Sequence, residues 1–209
     1  MSISSAIQTD TIKAARFFVV AVLLAFLGYG VPVPVNAKTV QATGKSGVYL
    51  NEIGVGTGYA RGSLKGQTDN LSTYPVFVRF AFNANSLFGI ESRENVLQLV
   101  CEPLVSKVSG PEDGIEIGCG LGIRYLHGLG RSVDVILEAS VAPIYYSIDT
   151  IEQGRAGFNF LDQIGAGFRY RLAVDKAVFG GYRWRHISHA DLVHRPNSGI
   201  NSNAAIIGF

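Results

Sequence analysis

His186 and Ser188 stand two residues apart in the run Tyr182-Arg183-Trp184-Arg185-His186-Ile187-Ser188-His189-Ala190-Asp191. On a strand, residues two apart point to the same side. An imidazole and a hydroxyl placed so can act as general base and nucleophile, because a serine hydroxyl attacks a carbonyl only when a base takes its proton. The same parity puts the pair on the face of Tyr182 and Trp184, where polar groups would lose water. Two readings follow: a base and nucleophile aimed at a membrane-dissolved substrate, or two polar residues in plain headgroup contact above the hydrocarbon. Other chemistries find no footing. Gly44-Lys45-Ser46 has Thr39 where a phosphate loop requires glycine. Gly118-Cys119-Gly120 and Gly165-Ala166-Gly167 lack the later glycine and helix of a dinucleotide site. His186, His189 and His194 match no zinc spacing, so neither metal nor cofactor is expected.

Whatever positions His186 and Ser188 must reconcile an unusual composition. Of the 209 residues 47% are hydrophobic and only 16% charged, against about 25% charged in ordinary soluble domains. The formal charge of +2 is too small and too scattered for a nucleic-acid partner. Residues 1–37 read as an export signal, with Lys13 and Arg16 before the apolar run Phe17 to Leu27 and small residues at Val35-Asn36-Ala37, so cleavage is expected before Lys38. That run is too short to cross a hydrocarbon core, which needs about 20 helical residues. Residues 38–209 form one domain without a transmembrane helix, yet are too apolar to be comfortable in water. A closed β-barrel, with its lipid face hidden in alternation, resolves the conflict.

Turn-forming clusters divide residues 38–209 into eight extended segments, at about 47–60, 72–83, 95–107, 114–127, 131–147, 155–171, 176–189 and 199–209. Along them one parity is aliphatic and aromatic. The other collects Glu52, Glu102, Glu116, Glu138, Arg79, Arg124, Arg169, Arg183 and Arg185 among glycines. A sparse charged face of mixed sign suits the narrow lumen of a small barrel, provided the charges pair. The expected fold is an all-β, eight-stranded antiparallel transmembrane barrel of the outer membrane; a soluble lipocalin-like barrel is the alternative. The closing stretch 203–209 alternates and ends on Phe209. A hairpin turning near Gly110 would set Cys101 opposite Cys119, as a cross-strand disulfide or as two free thiols.

His186-Ile187-Ser188-His189-Ala190, Pro196-Asn197-Ser198-Gly199-Ile200 and the terminal Phe209 resemble the C-terminal signature of the lipid A 3-O-deacylase (PagL) family. Gly114-Ile115-Glu116-Ile117-Gly118 and residues 158–165 look like further family segments, so the likeness covers about 95–209. It implies a serine esterase that removes the 3-position acyl chain of lipid A, with Ser188 as nucleophile and His186 as base. It also implies lipid A or lipopolysaccharide as substrate partner, outer-membrane lipid around the barrel, and leaves a homodimer open. The family has an acid two residues after its conserved glycine; this chain has Asn201, which can orient an imidazole but brings no charge. Where the family has an asparagine as oxyanion donor, beside the backbone N–H of Ala190, this chain has His189. These two departures favour the alternative, a non-catalytic structural or binding barrel. A phospholipase on the same barrel type is a third reading, and Asp191 a second candidate acid.

Overall fold

The computed structural model describes residues 47–64, 70–92 and 94–209; the export-signal reading of 1–37 lies outside them. Eight strands follow in chain order: β1 (Tyr49–Ser63), β2 (Asn70–Asn83), β3 (Asn95–Ser109), β4 (Gly114–Gly128), β5 (Val133–Tyr146), β6 (Gly157–Ala173), β7 (Lys176–Ser188) and β8 (Ile200–Gly208). Each pairs antiparallel with its neighbours, and β8 returns to β1, so the sheet closes into a barrel. Phe209 completes the seam: it exchanges backbone hydrogen bonds of 2.8 and 2.9 Å with Val55. Closure leaves no unpaired strand edge, which is the condition for strands to survive in lipid.

The strands form where alternation predicts them. β1 runs on through Arg61 and Gly62 to Ser63, past its expected end near residue 60. The outward parity exposes Val55, Val76, Leu121, Ile123, Leu137, Ile164, Phe168 and Tyr182. The inward parity carries the ions, and they pair. Glu102 lies 2.7 Å from both Arg79 and Arg183, and Arg183 also reaches Glu138 at 2.6 Å. Glu52 bridges Arg124 (2.5 Å) and Arg169 (2.7 Å), and Asp134 takes Arg169 at 2.8 Å. Arg185 meets Glu116 at 2.6 Å. Small residues make the room: at Gly56 a β-carbon would stand 2.3 Å from the Phe77 ring, which turns into the lumen under Arg79 and Arg183.

One expected register is corrected. Cys101 faces Leu121, and Cys119 faces Pro103, so the two cysteines are diagonal rather than opposite. The turn occupies Gly110–Asp113 and is centred beyond Gly110. Ser109 Oγ donates to Asp113 at 2.6 Å across it, which with Lys107 holds the Asp113 carboxyl below its usual range. Both cysteines are free thiols, with sulfurs 3.5 Å apart.

The chain end and the β2–β3, β4–β5 and β6–β7 connections share one rim. The β1–β2, β3–β4, β5–β6 and β7–β8 connections share the other. At this second rim the two long connections are knitted together. Ser198 N–H donates to Glu152 O at 2.9 Å, Gln153 Nε2 donates to Ile187 O at 3.3 Å, and Arg195 donates to the carbonyls of Arg155 and Phe158. Beneath them Tyr146, Ile148, Ile187 and Ile200 close the lumen with an apolar plug.

Candidate active site

The last turn of pleat in β7 sits at this knitted rim. Arg183, Arg185 and Ile187 point inward and are buried; Tyr182 (50% exposed) and Trp184 (37%) point outward, with His186 and Ser188 half-buried on their side. Arg185 anchors the parity, because both oxygens of Glu116 accept from its Nη2 at 2.6 and 2.8 Å. A one-residue slip would place that guanidinium in lipid.

Three neighbours fix the His186 ring. Asn201 on β8 is its direct cross-strand partner, with Oδ1 2.7 Å from Nδ1. An amide oxygen only accepts, so Nδ1 carries the proton and Nε2 keeps a bare lone pair. Trp184 stacks on the imidazole at 5.7 Å between centroids and 12° between planes. Gly199, at φ +75°, lies against the ring edge: a β-carbon there would come within 2.4 Å of Cε1. On the other flank β6 places Asp162 directly opposite His186 and Phe160 directly opposite Ser188.

Ser188 ends β7, and the backbone then turns sharply. Ala190 (φ +50°) and Asp191 (φ +54°) adopt left-handed conformations that side-chain-bearing residues seldom take. Asn197 holds this turn: its Oδ1 accepts from His189 N–H at 3.1 Å, and its Nδ2 donates to Asp191 Oδ1 at 3.0 Å. Among the described residues, the Ser188 hydroxyl makes no hydrogen bond to the imidazole, whose bond is to Asn201. Such catalytic contacts often tighten only once substrate is in place.

The structure thus brings His186, Ser188 and Asn201 to one outward patch. It does not bring the His189 side chain there. That ring is 0% exposed, with Nε2 3.0 Å from Pro196 O, because the β7–β8 connection folds back over it. Asp191 is likewise engaged by Asn197 in the connection rather than by the imidazole. Parity in the sequence already set Trp184 on the His186 face; Gly199 and Asp162 become its neighbours only in the fold. Ala173 pairs with Lys176 across the two-residue turn Val174-Asp175, and the register shift between Arg171 and Ala173 then sets 162 opposite 186.

Residues 92–209 match the family model described as lipid A 3-O-deacylase (PagL). Among solved structures the chain is similar to the outer-membrane enzyme PagL, at 19% identity and TM-score 0.57, over 74% of this chain and 98% of that one. It is also similar to neisserial surface protein A (NspA), at 14% identity and TM-score 0.51, over 75% of this chain and 94% of that one. No curated protein matches. The two solved structures agree with the barrel described above, and the family match spans more than half of the residues, including every residue of the patch. The chain belongs to the lipid A 3-O-deacylase (PagL) family.

Proposed function

We propose that this protein is an outer-membrane serine esterase that hydrolyses the ester-linked acyl chain at position 3 of lipid A. The single observation that supports it most is the outward-facing imidazole, oriented by Asn201 and sharing its strand face with Ser188. Nε2 of His186 takes the Ser188 proton as Oγ bonds to the ester carbonyl carbon. The negative charge that develops on the carbonyl oxygen needs donors. With the His189 ring turned inward, the backbone N–H of Ala190, exposed by the left-handed turn, is the group suited to supply one. The imidazolium then gives its proton to the departing sugar oxygen as the ester C–O bond breaks. Water, deprotonated by the same base, attacks the acyl-serine, releases the fatty acid and restores the hydroxyl.

Placement supports the substrate class. The patch lies at the rim opposite the chain end, which carries the β5–β6 and β7–β8 connections; β2–β3 is the one comparably long connection at the other rim, and outer-membrane barrels turn their longer loops to the outside. Lipid A occupies that leaflet. Phe158 and Phe160, packed edge to face at 4.9 Å, offer an apolar flank for an acyl chain beside Ser188. All groups named come from one chain, so the chemistry requires no homodimer. The same reading has residues 1–37 carry the chain to the periplasm and be removed before Lys38.

Mass spectrometry of lipid A from cells making the wild type, Ser188→Ala or His186→Asn is the test. Loss of one 3-hydroxyacyl chain with the wild type alone is expected. An unchanged spectrum with the wild type assigns the chain to the non-catalytic barrel, the reading that the neutral Asn201 favours. Lysophospholipid in the same extract assigns it to a phospholipase.

A further inference from the structure

Asp162 is an acid on the lipid-facing side of a strand. Its neighbours along that face of β6 are Phe160, Ile164 and Ala166, and beyond it on β5 stands Val141. A carboxylate on this face loses hydration and makes the barrel less stable the deeper it lies. Among the described residues it forms no ion pair with the lumen network, whose acids are Glu52, Glu102, Glu116, Asp134 and Glu138. Its direct cross-strand partner is His186. Opposite residues in antiparallel strands have β-carbons about 4.5–5.5 Å apart, so the two side chains leave neighbouring points of the wall, without a hydrogen bond or ion pair between them; the ring's bond is to Asn201.

We infer that Asp162 is a positioning residue that supplies the negative charge facing the His186 imidazolium, the charge that Asn201 cannot bring. This rests on the Ser188–His186 esterase reading. The ring has two cross-strand flanks. On β8, Asn201 orients Nδ1 and stays neutral. On β6, Asp162 is the charged group. The other groups against the ring, Trp184 on β7 and Gly199 in the β7–β8 connection, carry no charge. Arg183 and Arg185 point into the lumen, bound to Glu102, Glu138 and Glu116. When the serine proton reaches Nε2 the ring becomes a cation at the edge of a low-dielectric phase. Unit charges about 6 Å apart, at an effective dielectric of about 20, attract strongly enough to change a rate by about a hundredfold. Orientation and charge, joined in one acid in the family pattern, are here divided between two strands.

The full-length protein, purified in detergent and given purified lipid A, tests this in four variants. Asp162→Asn is expected to lower kcat about tenfold to a hundredfold with little change in KM. It is also expected to move the acidic limb of the kcat–pH profile to lower pH, since a ring without its anion gives up the proton more readily. Asp162→Glu should keep most of the activity, and Asn201→Asp added to Asp162→Asn should restore both kcat and the limb. A loss confined to KM, or an unmoved acidic limb, overturns the inference. Ser188→Ala runs beside them. Full activity in Ser188→Ala overturns the esterase reading itself; an inactive Ser188→Ala with a wild-type-like Asp162→Asn overturns the role of Asp162 alone.

Discussion

Nδ1 of His186 lies 2.7 Å from Oδ1 of Asn201, its direct partner across the β7–β8 pairing. In the proposed esterase, a neutral amide thus does the orienting half of an acid's work. Asn201→Ala is expected to free the ring and lower kcat by at least about tenfold, part of the 10²–10⁴-fold that a positioned base contributes. Asn201→Asp is expected to raise kcat above wild type. Release of 3-hydroxy fatty acid from purified lipid A measures both.

Gly199 carries the second prediction. Its φ of +75° disfavours any side chain, and a methyl would stand 2.4 Å from Cε1 of His186. Gly199→Ala should displace the ring by about an ångström and cost about 10²-fold in rate. The left-handed backbone should cost the fold about 1–2 kcal/mol, leaving the barrel assembled. A fully active Gly199→Ala would show that the ring position seen here is not the working one.

The lumen network yields a stability prediction. Glu102 accepts from Arg79 and Arg183 in the interior. Glu102→Gln leaves both guanidiniums short of countercharge and should destabilise the barrel by about 3–5 kcal/mol. Urea unfolding in lipid vesicles, followed by Trp184 fluorescence, gives the difference. Lipid A trimming under native conditions should persist, because Ser188 and His186 face the other side of the wall.

Two cysteines give a chemical prediction. Cys101 and Cys119 are diagonal in the β3–β4 register and unbonded. Non-reducing mass spectrometry after alkylation should find two modified thiols, and Cys101→Ala should leave lipid A trimming unchanged.

Much of this protein is legible in one dimension. Strand residues alternate sides whatever their partners, so the sorting of Val76, Leu121 and Ile164 from Arg79, Glu102 and Arg183 already states that grease faces out and ions face in. The parity of Tyr182, Trp184, His186 and Ser188 follows from the same period, and family likeness adds the roles. What lies across strands is set by the register, and each register depends on how many residues its turn consumes. A turn centred past Gly110 moved Cys119 from Cys101 to Pro103. A register shift between Arg171 and Ala173, beside the Val174-Asp175 turn, set Asp162 opposite His186. The inward placement of His189 under Pro196, and the approach of Gly199 to the imidazole, depend on how an eleven-residue connection folds back on the rim. Local alternation is a property of the backbone alone; neighbours distant in the chain are chosen only when the sheet closes, because closure fixes every register at once.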